Sequence, residues 1–138
     1  MQSLNMLQEP WLSWLLLIGR ICLSLVYLVS GVHKGIWFSK AVKEFQDAGV
    51  PFLHFFLIGT IVLHLVAPVL LITGLFVTET ALALAIFTVV ATLKVHHFWN
   101  MTGDDALIQS RIAMTNLAVI GGLLVLAAVG PGSFAVNY

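Results

Sequence analysis

The chain has 138 residues, 60% of them hydrophobic and 9% charged, with six basic side chains balancing six acidic ones. Soluble domains carry about 25% charged residues, so this composition, with a mean hydropathy of +1.05, excludes a water-soluble enzyme and points to a lipid bilayer. One cysteine, Cys22, excludes an internal disulfide, a CxxC redox pair and a thiolate zinc cluster, and a net charge of zero supplies no basic stripe for nucleic acid.

A helix that crosses a bilayer needs about 20 apolar residues, and the runs predict four such spans, at 11–32, 52–77, 80–99 and 107–129. The expected fold is an all-α, integral membrane four-helix bundle forming a single membrane domain over 1–138. The first run has no basic leader region and carries Arg20 inside its apolar stretch, so it reads as a retained helix. Along it Arg20, Ser24, Tyr27, Gly31 and Lys34 recur at helical spacing, which turns a polar, small-residue stripe toward the neighbouring helices.

Between the first two spans, 36–48 predicts a short interfacial amphipathic helix. Lys40, Lys43, Glu44 and Asp47 share one face, and Trp37, Phe38, Ala41, Phe45 and Ala48 share the other. Gly49 and Pro51 end it. The second span carries a matching stripe of Thr60, His64, Ala67, Gly74 and Thr78, with His64 near the middle of the bilayer, at a depth similar to that of Arg20. Only Thr78 and Glu79 separate the second and third spans, which predicts an antiparallel hairpin. On the third, Lys94 and His97 share one face and Thr88, Thr92, His96 and Trp99 another. Gly103, Asp104 and Asp105 mark a turn and a helix cap. The last span sets Arg111, Thr115, Ala118 and Gly122 on one side with Asn116 beside them.

Lys34, Lys40, Lys43, Lys94 and Arg111 all flank the first and third loops, so the positive-inside rule predicts those loops in the cytoplasm and both termini outside. Charged groups at mid-helix cost about 2.5 to 3.5 kcal/mol on insertion scales. Arg20 and His64 are therefore the candidate catalytic residues, the arginine stabilising negative charge on a bound oxygen and the histidine donating or relaying a proton. Tyr27, Lys94, His97 and Asn116 are candidate contacts to a quinone head or an anionic headgroup. The plainer reading lets Lys34, Lys94 and Arg111 snorkel to the membrane surface and lets Asn116 and the threonines tie helices together. His33, His54, His96 and His97 gather at one end, where two facing imidazoles would suit a haem. No HExxH, paired ExxH or facial triad can be written, so no metal site is assigned and haem ranks behind quinone.

The run from Arg20 to Lys34, with Leu28-Val29-Ser30-Gly31 inside it, resembles the "R…LVSGxxK" opening of the DoxX family. Ala48-Gly49-Val50-Pro51 is similar to that family's "GxP", and Val90-Ala91-Thr92-Leu93 with His96-His97-Phe98-Trp99 to its "VATL…HxFW". Asn116-Leu117-Ala118, Gly121-Gly122 and Gly130-Pro131-Gly132 resemble its "KNLALLGG…GPG" ending. The resemblance spans about 15–134. It implies a small four-helix protein of a bacterial or archaeal cytoplasmic membrane, a subunit of a quinone-linked oxidoreductase complex that works with other membrane subunits and has no covalent cofactor of its own. The alternative it leaves open is a non-catalytic anchor, assembly or stabilising subunit. Two positions depart from the family pattern: His64 stands where many relatives carry glutamate, and Thr115 where lysine is usual before Asn116.

Overall fold

A computed structural model describes residues 9–136. The described chain forms α1 (Pro10–Ile36), α2 (Phe38–Asp47), α3 (Leu53–Thr73), α4 (Val77–Val95) and α5 (Gly103–Val129), with one 3-10 turn at Phe98–Asn100. Four of these helices, α1, α3, α4 with the 3-10 turn, and α5, are long and apolar enough to cross a membrane. The molecule is an all-α membrane bundle.

Local chemistry explains where each helix starts and stops. Pro10 occupies the first turn of α1, where its missing N–H removes no helical bond. The helix runs to Ile36, four residues past the span expected from hydropathy, because Lys34 stays in register and its Nζ donates to Ser30 Oγ at 2.8 Å. Trp37 breaks the path and starts α2, whose Ala41 and Phe45 are buried against Leu57 of α3 while its charged face stays exposed. The connection between α3 and α4 is Gly74 to Phe76; Thr78 and Glu79 belong to the first turn of α4. Gly103 opens α5, and Asp104 and Asp105 place negative charge at the positive end of its dipole.

The second and third spans do form the expected antiparallel hairpin, with His64 meeting Phe87 across it, but the heaviest packing lies elsewhere. Extensive contact joins α1 to α3 and α4 to α5, whereas α3 and α4, though consecutive, touch much less. Small residues explain α1 against α3: a Cβ on Gly31 would stand 2.8 Å from His64 Cβ and 3.3 Å from the His64 carbonyl carbon. The core runs through Tyr27, Leu71, Leu84 and Leu123. On α5 the inward side carries Ala113, Val119, Leu123 and Leu126. Arg111, Thr115 and Ala118 are exposed, so most of the stripe that spacing suggested for the last helix faces outward; Gly122, the fourth member, is half-buried against Leu23 of α1. Apolar α5 residues fill the interior because α4 offers Leu84 and Ala85 there.

Asn116 ties the second pair, its Nδ2 donating to Thr92 Oγ1 at 2.9 Å. Interhelical bonds of this kind average about 0.6 kcal/mol and reach about 1.7. Asn116→Leu should lower stability within that range, and adding Thr92→Val should lower it little further, as read by a double-mutant cycle on thermal unfolding in detergent.

Candidate functional site

The stripe on α1 folds inward as its spacing predicts: Arg20, Ser24, Tyr27 and Gly31 are all buried. Gly31 and Tyr27 meet His64 of α3, Ser24 Oγ donates to Pro68 O at 3.3 Å, and Arg20 lies farther along, beside Gly74. Two polar centres result, at different depths.

The first is centred on His64, which is 4% exposed. Its ring lies between two aromatic edges, Tyr27 with centroids 5.2 Å apart and Phe87 at 4.9 Å. Neither Nδ1 nor Nε2 has a hydrogen-bond partner among the described residues. Tyr27 is held away from it. Thr88 Oγ1 donates to Leu84 O at 2.7 Å, so its single proton is committed and the Tyr27 hydroxyl, 2.6 Å away, is the donor between the two side chains. Thr60 Oγ1 likewise turns to its own helix, donating to Phe56 O at 2.8 Å. Pro68 lies one turn beyond His64 and brings no N–H for the His64 carbonyl, its ordinary partner in the helix. Each buried polar atom left unmatched costs about 1 to 3 kcal/mol, so two open ring nitrogens beside an irregular helix turn are a strong anomaly for a purely structural residue. Phe87, whose ring meets His64, also lines an apolar groove of about 340 Å³ on the bundle flank, with Phe45, Phe56, Thr60, Val90 and Lys94 among its walls; His64 itself does not line it.

The second centre is Arg20, fully buried at the opposite end. Nη2 donates to Phe134 O, while Nε and Nη1 have no hydrogen-bond partner among the described residues. Residues 130–136 fold back across this end of the bundle. Ser13 and Ser133 share a hydrogen bond, the Trp14 and Phe134 rings meet edge-on at 4.8 Å, and Val136 N donates to Thr73 O at 3.0 Å. Arg20 Nη1 lies against Gly74, the residue that caps α3. The guanidinium therefore sits at the negative end of the α3 dipole, which offsets about 0.3 to 1 kcal/mol of its burial. No arginine–carboxylate pair forms among the described residues.

The structure does not bring Arg20 and His64 together. Gly31 is level with His64 and Gly74 is level with Arg20, and the stretch of α1 from Arg20 to Gly31 rises about 16 Å. Helical spacing identified the shared stripe but not how far α3 is shifted along α1. Of the other candidates, Tyr27 is beside His64. Asn116 bonds Thr92 instead, and Lys94 and His97 lie at the end of α4, where His97 Nδ1 donates to Lys94 O at 3.0 Å. The remaining histidines have separate settings: His33 packs on Trp37 at 4.8 Å, His96 Nδ1 meets Gln109 Oε1 at 2.7 Å, and His54 is exposed. No group of three potential metal ligands occurs among the described residues. Phe87 and the segment 130–136 escaped the sequence reading. Phe87 looks like any lipid-facing aromatic, and only Gly130-Pro131-Gly132 signalled that the chain turns back after α5.

Comparison with known proteins agrees with this architecture. The DoxX family model matches residues 15–97. The inner membrane protein YphA of Escherichia coli (strain K12) is 29% identical over 123 residues, covering 89% of this chain and 88% of the relative. The inner membrane protein YqjF of the same organism is 27% identical over 121 residues, covering 88% of each. No solved structure matches the chain significantly.

Proposed function

This chain belongs to the DoxX family, and from that premise we propose that it is a bacterial inner-membrane subunit of a quinone-linked oxidoreductase complex, holding the quinone head against His64. The observation that carries this reading is the imidazole buried between Tyr27 and Phe87 with both ring nitrogens unmatched. A neutral imidazole offers one N–H donor and one acceptor. A ring carbonyl on a flat apolar guest accepts the first, and the aromatic edges of Tyr27 and Phe87 flank such a ring. On this reading a guest enters from the lipid along the flanking groove and reaches His64 where the Phe87 ring, which lines the groove and meets the imidazole, gives way.

A bound quinone supplies an acceptor for two electrons and two protons. His64 orients the head and holds a proton at one ring nitrogen for its oxygen. Phe87 and the apolar groove exclude water from that proton. Electrons come from a partner subunit, since this chain carries no redox motif of its own. Arg20 is too far along α1 to touch the same head; its role in this reading is to clasp residues 130–136 across the far end of the bundle. On this reading the α2 end, where Lys34, Lys40, Lys43 and Lys94 gather, faces the cytoplasm, in keeping with the positive-inside rule.

The test is binding, measured on the purified full chain in lipid nanodiscs with a short-tailed benzoquinone and a short-tailed naphthoquinone as probes. Wild type should show saturable quenching of tryptophan fluorescence, and His64→Leu should weaken it at least tenfold. Equal affinity in His64→Leu, with helicity and thermal midpoint retained, would overturn the reading in favour of a non-catalytic anchor or assembly subunit.

A further inference from the structure

Two recesses lie between α2 and α4, and they meet at Val95, which lines both. One, about 620 Å³, is polar, and its walls include Lys40, Lys43, Glu44 and Asp47 from α2 and His97 and Gln109 from beyond α4. The other is the apolar groove of about 340 Å³, with Phe45, Phe56, Val90 and Ala91 along it and Lys94 at its polar end. The lined part of α4, from Phe87 to Lys94, rises about 10 Å. The polar recess and the apolar groove adjoin at Val95, so a molecule with a polar head and an apolar tail that straddles this residue could occupy both.

The charges in the polar recess are the unusual part. Lys40, Lys43, Glu44 and Asp47 project from one face of a single short helix, yet among the described residues no ammonium of this set pairs with a carboxylate within 4.0 Å. Lys40 and Lys43 in this recess, with Lys94 in the adjoining groove, suit a phosphodiester, whereas the two carboxylates repel a purely anionic headgroup and attract a cation that can donate hydrogen bonds. His97 adds to this. Its Nδ1 donates to the Lys94 carbonyl, so in the neutral ring Nε2 is an acceptor.

We propose that this pair of recesses is a specific phospholipid site that selects an ethanolamine headgroup. The phosphate lies against Lys40, Lys43 and Lys94, the primary ammonium lies against Glu44, Asp47 and His97 Nε2, and one acyl chain follows Ala91 and Val90 toward Phe87. The site uses the groove through which a guest would reach His64, but it does not rest on the quinone reading, because its recognition elements are on α2 and at the end of α4. Phosphatidylcholine is the informative contrast, since a trimethylated ammonium has no proton to donate. Phosphatidylglycerol is the second contrast, having the phosphate and no cation.

The experiment uses the purified full chain in detergent, stripped of lipid and then offered the ethanolamine, glycerol and choline phospholipids in equal amounts, with bound lipid counted by native mass spectrometry. A further arm offers glycerophosphoethanolamine, the headgroup without chains. The ethanolamine lipid should be retained at least threefold over the glycerol lipid and fivefold over the choline lipid and the chainless headgroup. Lys40→Gln with Lys43→Gln should lower retention of all phospholipids at least threefold. Glu44→Gln with Asp47→Asn should erase the preference for ethanolamine over glycerol. Ala91→Trp, which fills the tail groove, should lower retention of all three lipids. Equal retention of the three classes, equal binding of the chainless headgroup, or a preference that survives both charge-neutral variants would overturn the proposal. None of these readouts involves quinone, so a failed lipid preference leaves His64 untouched and a failed quinone titration leaves the lipid site untouched.

Discussion

Gly74→Ala should lower the stability of the protein by about 2 to 5 kcal/mol, the largest effect expected for so small a change. Gly74 caps α3 at φ 85°, a left-handed conformation that costs a residue with a Cβ about 1 to 2 kcal/mol. The added carbon would also overlap Arg20 Nη1 and stand 2.8 Å from Ala135 Cα. Forcing the guanidinium and the returning segment apart adds about 1 to 3 kcal/mol of overpacking. Gly49 separates the two contributions. It too has positive φ, 66°, but a Cβ there meets nothing within 4 Å. Gly49→Ala should therefore cost only the conformational part. A thermal midpoint for Gly74→Ala no lower than that of Gly49→Ala would show that the clasp around Arg20 contributes nothing. Limited proteolysis supplies a second readout, because a displaced segment 130–136 should be cut faster in Gly74→Ala than in wild type.

Gly31→Val should separate α1 from α3 and remove the guest site with it. The first added carbon already stands 2.8 Å from His64 Cβ and 3.3 Å from the α3 backbone, and backbone cannot yield as a flexible side chain can. The expected loss is about 2 to 3 kcal/mol. On the function proposed above, quinone quenching should fall by the same order as in His64→Leu, because the imidazole is pushed off its position between Tyr27 and Phe87. Gly35, one turn on, is the control: a Cβ there meets nothing within 4 Å. Gly35→Ala should be neutral or stabilising, since alanine is the better helix former by about 1 kcal/mol. Matching losses in Gly31→Val and Gly35→Ala would contradict the close approach.

The two glycines also show why the candidate site was only half legible in the sequence. Gly31 belongs to a spaced stripe, so its inward position could be read from helical periodicity. That His64 is its neighbour, and Arg20 is not, depends on how far α3 slides along α1, and no periodicity encodes a translation between two helices. The same limit applies to α5, where spacing grouped Arg111, Thr115 and Ala118 correctly on one side and could not tell inside from outside. In lipid, an apolar face is as acceptable outward as inward, so hydropathy does not orient such a helix.

What this sequence determined by itself is the number of spanning helices, the amphipathic character of α2, the inward stripe on α1 and the family. The first three follow from composition or from spacing along one helix, where the backbone alone sets which side chains share a face; the family follows instead from the resemblance of several short motifs taken in chain order. Tertiary structure alone decided that α1 pairs with α3 and α4 with α5, that residues 130–136 return to clasp Arg20, and that Phe87 closes over His64. Those outcomes depend on where small residues let two backbones meet and on which buried polar atoms find partners, both properties of the packed bundle rather than of any one segment.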